Sequence, residues 1–146
     1  MMLPMSSSRD SLIQSAIAAR EKAHAPYSHF KVGAALETAA ADGSEPAVFT
    51  GCNVENATYG LTICAERVAV LKAISEGATG FTRIAIAADT GTLTPPCGAC
   101  RQILWEFCGN LEIILVNLHG KSETLRLADI FPRPFDSTFL RGSVPG

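Results

Sequence analysis

The chain has 146 residues, a length that suits one compact domain over residues 1–146. Apolar residues make up 47% and charged residues 18%, which is enough to build a core and leaves too few charges for a disordered chain. The formal net charge is -2 and Lys and Arg nowhere cluster, which argues against DNA or RNA as the ligand, because phosphate contacts call for a basic stripe.

Residues 1–8 read as a loose lead-in. A helix is expected over 10–24, where Leu12, Ile13, Ala16, Ile17 and Arg20 form one stripe and Pro26 follows. The run "HFKVGAALET" alternates Phe30, Val32, Ala34 and Leu36 on one face, as a strand does, and "AVFTGCNVEN" reads as its hairpin partner across a turn at 39–46. "TICAERVAVLKAISEG" is the clearest helix, stopped by Gly77. "RIAIAAD" and "LEIILVN" are nearly all-apolar strands of the doubly buried kind. Between them a helix runs from Pro96 to about Gly109, and "KSETLRL" and "LADIFP" offer a last strand and a short helix. Helices separate the later strands, so those strands are expected to be parallel. The predicted fold is a three-layer α/β/α domain with a mixed sheet.

No apolar run approaches the ~18–20 residues that span a bilayer. The start, "MMLPMSSSRD", lacks the basic residues and long apolar stretch of a secretory signal, so a cytoplasmic, non-membrane protein is expected. Mean hydropathy is +0.21, an apolar surplus that association with further subunits would cover.

Five cysteines, Cys52, Cys64, Cys97, Cys100 and Cys108, carry the chemical signal. In a reducing compartment, clustered cysteines point to metal binding or catalysis. Cys108 falls on an apolar stripe with Cys100, Ile103, Leu104 and Phe107, and reads as core. Cys52 has no partner at motif spacing. Cys97 and Cys100 open a helix, where free N–H groups and the helix dipole favour thiolate. Taken alone, that pair suits a metal site and a dithiol redox site equally.

Cys64 begins a second helix and Glu66 lies in its first turn. Three thiolates with no fourth ligand at motif spacing describe a zinc site with one open position. A carboxylate beside such a position can take a proton from water and give one to a leaving group. His24, His29 and His119 read as surface or ordinary hydrogen-bonding residues. Cys-x-Glu followed roughly 30 residues later by Pro-Cys-x-x-Cys is a known zinc-deaminase signature.

The chain resembles the small homotetrameric cytidine deaminases that act on free nucleosides. The resemblance rests on "PYSHFKVGAAL", "GCNVENATYGLTICAERVAVLKAISEG" and "PPCGACRQILWEF", which together span residues 26–107. It implies one Zn²⁺ per chain on Cys64, Cys97 and Cys100, with Glu66 moving the protons. It implies that Asn53 and Glu55 bind the sugar hydroxyls, that Phe30 lies beside the pyrimidine and that the backbone of Ala65 touches the base. It further implies a homotetramer in which a C-terminal aromatic completes a neighbour's site; Phe135 is the best match, with Phe131 and Phe139 as alternatives. Thr58 and Pro95 stand where the family usually has Ser.

Independently of the resemblance, Asn53 and Glu55 are two apart on a predicted strand and so share a face. Arg67, next to Glu66, is placed to hydrogen-bond a ligand sulfur. The expected activity is hydrolysis of cytidine and deoxycytidine to uridine and deoxyuridine, a pyrimidine-salvage step with a small nucleoside as partner. The rivals are a deaminase of an aminopyrimidine antibiotic such as blasticidin S, a dithiol oxidoreductase using Cys97 and Cys100, and a non-catalytic zinc-stabilised interaction domain.

Overall fold

The computed structural model describes residues 8–40 and 44–141. The expected lead-in falls almost wholly outside them, as does the centre of the expected turn at 39–46.

Helix α1 spans Arg9–Arg20 and starts where the Ser8 hydroxyl accepts the Ser11 N–H at 3.0 Å. It stops four residues before the expected end. The N–H groups of Lys22 and Ala23 bond three residues back, tightening the last turn. The His24 N–H then leaves the helix for the Asn53 carbonyl, and Pro26 bars Ala25 from helical backbone.

Strands β1 (Val32–Thr38) and β2 (Val48–Cys52) form the antiparallel hairpin. Helix α2 (Ala65–Ser75) follows a single 3₁₀ turn at Tyr59–Leu61, and Gly77, at φ 92°, ends it in a conformation that suits glycine. Strand β3 (Phe81–Ala88), helix α3 (Gly98–Cys108) and strand β4 (Glu112–Val116) make a β-α-β crossover, and β3 and β4 are parallel as expected. Strand β5 (Ser122–Arg126) pairs antiparallel with β4, and the short α4 (Leu127–Ile130) follows. The sheet order is β2-β1-β3-β4-β5.

Side-chain alternation sorts the core onto two faces. Ala35, Ala85, Ala87, Ile114 and Val116 pack on one side with Leu12 and Ala16 of α1. Ala34, Leu36, Ile84, Ile86, Ile113 and Leu115 pack on the other with Ala65, Ala69 and Val70 of α2 and Leu104 of α3. This is the expected three-layer α/β/α arrangement with a mixed sheet.

Strand β1 lies inside the sheet and every residue from Gly33 to Glu37 is buried, with Val32, Ala34 and Leu36 on one face as expected. Two hairpin expectations change. Phe30 lies before the strand and is 41% exposed, so it does not lead the core stripe. Strand β2 ends at Cys52; beyond it Val54 makes only isolated bridges to His24 and Ile63.

Two glycines let helices come close. A Cβ on Gly33 would lie 2.1 Å from the Ala16 carbonyl oxygen of α1. A Cβ on Gly51 would lie 2.5 Å from the Ala65 carbonyl oxygen and 2.6 Å from the Ala69 nitrogen. The second contact seats the first turn of α2 on β2.

Candidate active site

Helices α2 and α3 each begin on a cysteine. Cys64 and Cys97 are the N-cap residues, both extended, and neither side chain caps its own helix. Their sulfurs are therefore free to turn toward a common point, near the positive ends of both helices. Cys100, in the first turn of α3, is fully buried. The Cys64 and Cys97 sulfurs are 3.9 Å apart and those of Cys97 and Cys100 3.4 Å apart. All three lie within 4.8 Å of one another, and among the described residues they form the one group of three or more His, Cys, Asp or Glu placed to hold a metal.

A tetrahedral ion with Zn–S bonds of about 2.3 Å holds its sulfurs about 3.8 Å apart, so the three cysteines fit zinc. Three protein ligands leave the fourth position open, the pattern of a catalytic site. Cys64 is drawn down to about 5, first by a hydrogen bond from Cys100 and then by one from Arg67, while Cys100 moves up because it gives its proton to the Cys64 sulfur. Arg67 Nη2 donates to Cys64 Sγ and to the Thr62 carbonyl, both at 3.4 Å, which is the contact expected from its place in the sequence.

Glu66 is 5% exposed and follows Cys64 by two positions. Burial, reinforced by the nearby Cys64 sulfur, pushes its carboxyl up to about 7. Cys108 also moves up, to about 12, through burial alone, and it packs against the core away from the sulfur cluster.

A cavity of about 230 Å³ opens beside the cluster. Its lining combines Cys64, Ala65, Glu66 and Cys97 with apolar Val32, Ile86 and Pro95, polar Ser28, Thr62 and Thr94, and Phe30, Asn53 and Glu55. The structure thus brings Phe30, Asn53, Glu55, Ala65, Glu66 and two of the cysteines around one space. Among the described residues, no Lys, Arg or His lines it.

Asn53 is 8% exposed, and its Oδ1 accepts the Val32 N–H at 2.9 Å while Nδ2 donates to the Phe30 carbonyl at 2.8 Å. Glu55 Oε1 accepts the N–H groups of Tyr27 and Ser28 at 2.9 and 3.1 Å, and Oε2 accepts the Ser28 hydroxyl. Both therefore also pin the segment 27–32, a duty their shared position on the chain did not reveal.

Phe135 does not line this cavity. It is 57% exposed, stacks on Phe139 at 5.6 Å, and its carbonyl accepts from Gln102. Phe131, by contrast, packs edge-on against Trp105 and joins the core. Sequence reasoning missed Ser28, Thr62 and Thr94. Ser28 alone had a local signal, as a turn residue in "PYSHF".

The chain matches the family model "Cytidine and deoxycytidylate deaminase zinc-binding region" over residues 6–116. It is 48% identical over 128 residues to a cytidine deaminase of Halalkalibacterium halodurans, covering 87% of this chain and 93% of that protein. A cytidine deaminase of Sporosarcina psychrophila is 46% identical over 132 residues, covering 90% and 93%. The crystal structure of cytidine deaminase from Burkholderia pseudomallei superposes with a TM-score of 0.79 at 46% identity, covering 88% of this chain and 99% of that one.

Proposed function

The chain belongs to the zinc-binding cytidine and deoxycytidylate deaminase family, and from that premise we infer that it hydrolyses cytidine and deoxycytidine to uridine and deoxyuridine, releasing ammonia. The observation that carries this reading is a buried carboxyl, Glu66, that lines a cavity of about 230 Å³ together with Cys64 and Cys97 of a three-sulfur cluster.

Cys64, Cys97 and Cys100 would hold the zinc ion, which would supply a Lewis acid that makes water nucleophilic near neutral pH. Glu66 takes a proton from the attacking water and passes it to N3 of the pyrimidine as C4 is attacked. The carboxylate so restored takes the proton of the new C4 hydroxyl and gives it to the 4-amino group, and the C4–N bond breaks to release ammonia as the C4 carbonyl forms. Water supplies the oxygen at C4, so the reaction needs no other co-reactant. The backbone of Ala65 and the ring of Phe30 hold the base in the cavity, and its apolar walls, Val32, Ile86 and Pro95, keep bulk water out.

In the same cavity Asn53 and Glu55 receive the sugar. Asn53 has one amide hydrogen left after its bond to Phe30. Glu55 has one of about four acceptor positions left after three bonds. Asn53 Oδ1 keeps one lone pair after accepting from Val32, so the two residues offer one donor and two acceptors, enough to hold a sugar hydroxyl common to ribose and deoxyribose. The described residues of the lining include no cationic side chain, which supports a free nucleoside over a nucleotide, since a phosphate calls for Arg or Lys.

Cys64 beside the Cys97–Cys100 pair favours a metal over a two-cysteine redox site, and the open cavity beside Glu66 favours an enzyme over a zinc-stabilised scaffold. No described helix is long and apolar enough to cross a membrane. None of the five cysteines is in a disulfide, which supports a reducing, cytoplasmic setting. We assign a homotetramer in which Phe135 of one subunit closes a neighbour's cavity; its exposure and its distance from its own cavity lining support that arrangement.

The test is the fall in ultraviolet absorbance as cytidine becomes uridine, run with cytidine, deoxycytidine, deoxycytidylate and blasticidin S. Cytidine and deoxycytidine should differ by less than about tenfold in kcat/KM and the other two should react poorly. Glu66→Gln should keep one zinc per chain and lose about 10⁴-fold in kcat. Near-normal turnover by that variant would remove the proton-transfer assignment.

A further inference from the structure

The segment 25–30 is a tight turn clasped onto Glu55. His29 N–H donates to the Ala25 carbonyl at 3.0 Å, and His29 itself stands at φ 59°, a left-handed conformation that a non-glycine residue adopts at a cost. Three donors from Tyr27 and Ser28 converge on the Glu55 carboxylate. The Ser28 hydroxyl is the only side chain among them. Its oxygen accepts the Phe30 N–H at 3.0 Å, which directs its own hydrogen toward Glu55 Oε2. A relay therefore runs from the Phe30 backbone through Ser28 to Glu55, joining the residues proposed to hold the base and the sugar.

Ser28, Glu55 and Thr62 line both the cavity of about 230 Å³ and a hollow of about 350 Å³ that Tyr27 and Tyr59 complete. The carboxylate thus has a second space into which it can turn. Its Oε1 is held by two backbone N–H groups, but the direction of Oε2, the oxygen with capacity for a sugar hydroxyl, is set by Ser28 alone.

We propose that Ser28 is a positioning residue for nucleoside binding: its hydroxyl, aligned by the Phe30 N–H, aims Glu55 Oε2 into the cavity and limits it to one further hydrogen bond. This rests on the reading of Glu55 as the sugar-binding carboxylate. The hydrogen bonds of Ser28 run to Glu55 and Phe30 and not to Glu66 or the three cysteines, so its effect falls on binding and leaves the chemical step alone. Ser28 and Phe30 are both exposed, so water can take over the Phe30 N–H when the hydroxyl is removed and the fold is not at risk.

The experiment is steady-state kinetics on cytidine with Ser28→Ala, Ser28→Thr, Glu55→Gln and the Ser28→Ala/Glu55→Gln pair, with zinc content and thermal melting measured on each. Glu55→Gln retains an oxygen for the two N–H groups and loses the acceptor for the sugar. It should raise KM about 30-fold. Ser28→Ala should raise KM about fivefold with kcat within about twofold of the parent, Ser28→Thr should restore KM, and the double variant should be no worse than Glu55→Gln. If Glu55→Gln raises KM while Ser28→Ala does not, or if the two effects multiply in the double variant, the role of Ser28 is wrong and the sugar reading stands. If Glu55→Gln leaves KM unchanged, the sugar reading fails and takes the proposal with it.

Discussion

Arg67 shows how one side chain offsets the electrostatic cost of an all-thiolate site. A divalent ion with three thiolates carries a net charge of about −1, which makes it a weaker Lewis acid than one held by neutral imidazoles. Arg67 Nη2, 3.4 Å from Cys64 Sγ, withdraws charge from one sulfur. Arg67→Ala should lower kcat about tenfold with an unchanged far-ultraviolet circular dichroism spectrum. Unaltered kinetics and zinc content would show that the contact is incidental. Cys108 carries the opposite lesson, a cysteine that packing keeps out of the chemistry. Its thiol is raised from 9.0 to about 12 by burial, so between those values the unfolded chain loses a proton that the folded chain keeps. Stability from this group is intact below pH 9 and falls as pH rises beyond it. The urea midpoint of the parent should therefore drop more between pH 8 and pH 10 than that of Cys108→Ala. An equal drop in both would place the thiol in contact with water.

At the scale of the element, the site depends on how α2 is seated. Its first turn carries Ala65 and Glu66, follows directly on Cys64, and rests on Gly51 with no room for a methyl group. Gly51→Ala should cost about 3 kcal/mol in chemical denaturation and lower zinc occupancy as well, because pushing the helix off β2 moves Cys64 away from Cys97 and Cys100. Loss of stability with full zinc content would mean that the helix start does not move with its seat. This scale also explains what could be read in advance. Helix starts are local, so Cys64, Glu66, Cys97 and Cys100 could be placed from spacing alone, and the apolar strands "RIAIAAD" and "LEIILVN" announced their burial. The burial of β1 on both faces was hidden, because alternation in "HFKVGAALET" says nothing of which strands flank it. The clasp on Glu55 was hidden for a similar reason: Ser28 and Glu55 are 27 positions apart, and the turn that joins them depends on a left-handed His29.

For the whole molecule, the exposed large apolar side chains mark the surfaces that the proposed tetramer would cover. Tyr59, Leu61, Phe135, Phe139 and Leu140 are all more than half exposed, and single chains rarely leave so much apolar area in water. Trp105 Nε1 donates to Asp136 and Gln102 to the Phe135 carbonyl, so α3 holds the C-terminal segment in place from the same helix that supplies two metal ligands. Sharing of sites predicts complementation. Phe135→Ala and Glu66→Gln should each be impaired alone, and co-refolded mixtures should recover activity above the sum of the two, since hybrid assemblies pair an intact Glu66 in one subunit with an intact Phe135 from another. Recovery no greater than that sum would place each site within a single chain.

The two cysteine-capped helices carry a consequence for how the chain holds together. Cys64 and Cys97 lie 33 positions apart, and the stretch between them contains all of α2 and β3. An ion bridging them closes that stretch into a ring, as a covalent staple would, and restricts the unfolded chain accordingly. Unlike a staple, the bridge is in exchange with the surroundings, so its contribution grows with the logarithm of free zinc. Durability thus becomes a property shared between the polypeptide and its medium: the same molecule is robust where the metal is plentiful and short-lived where it is scarce.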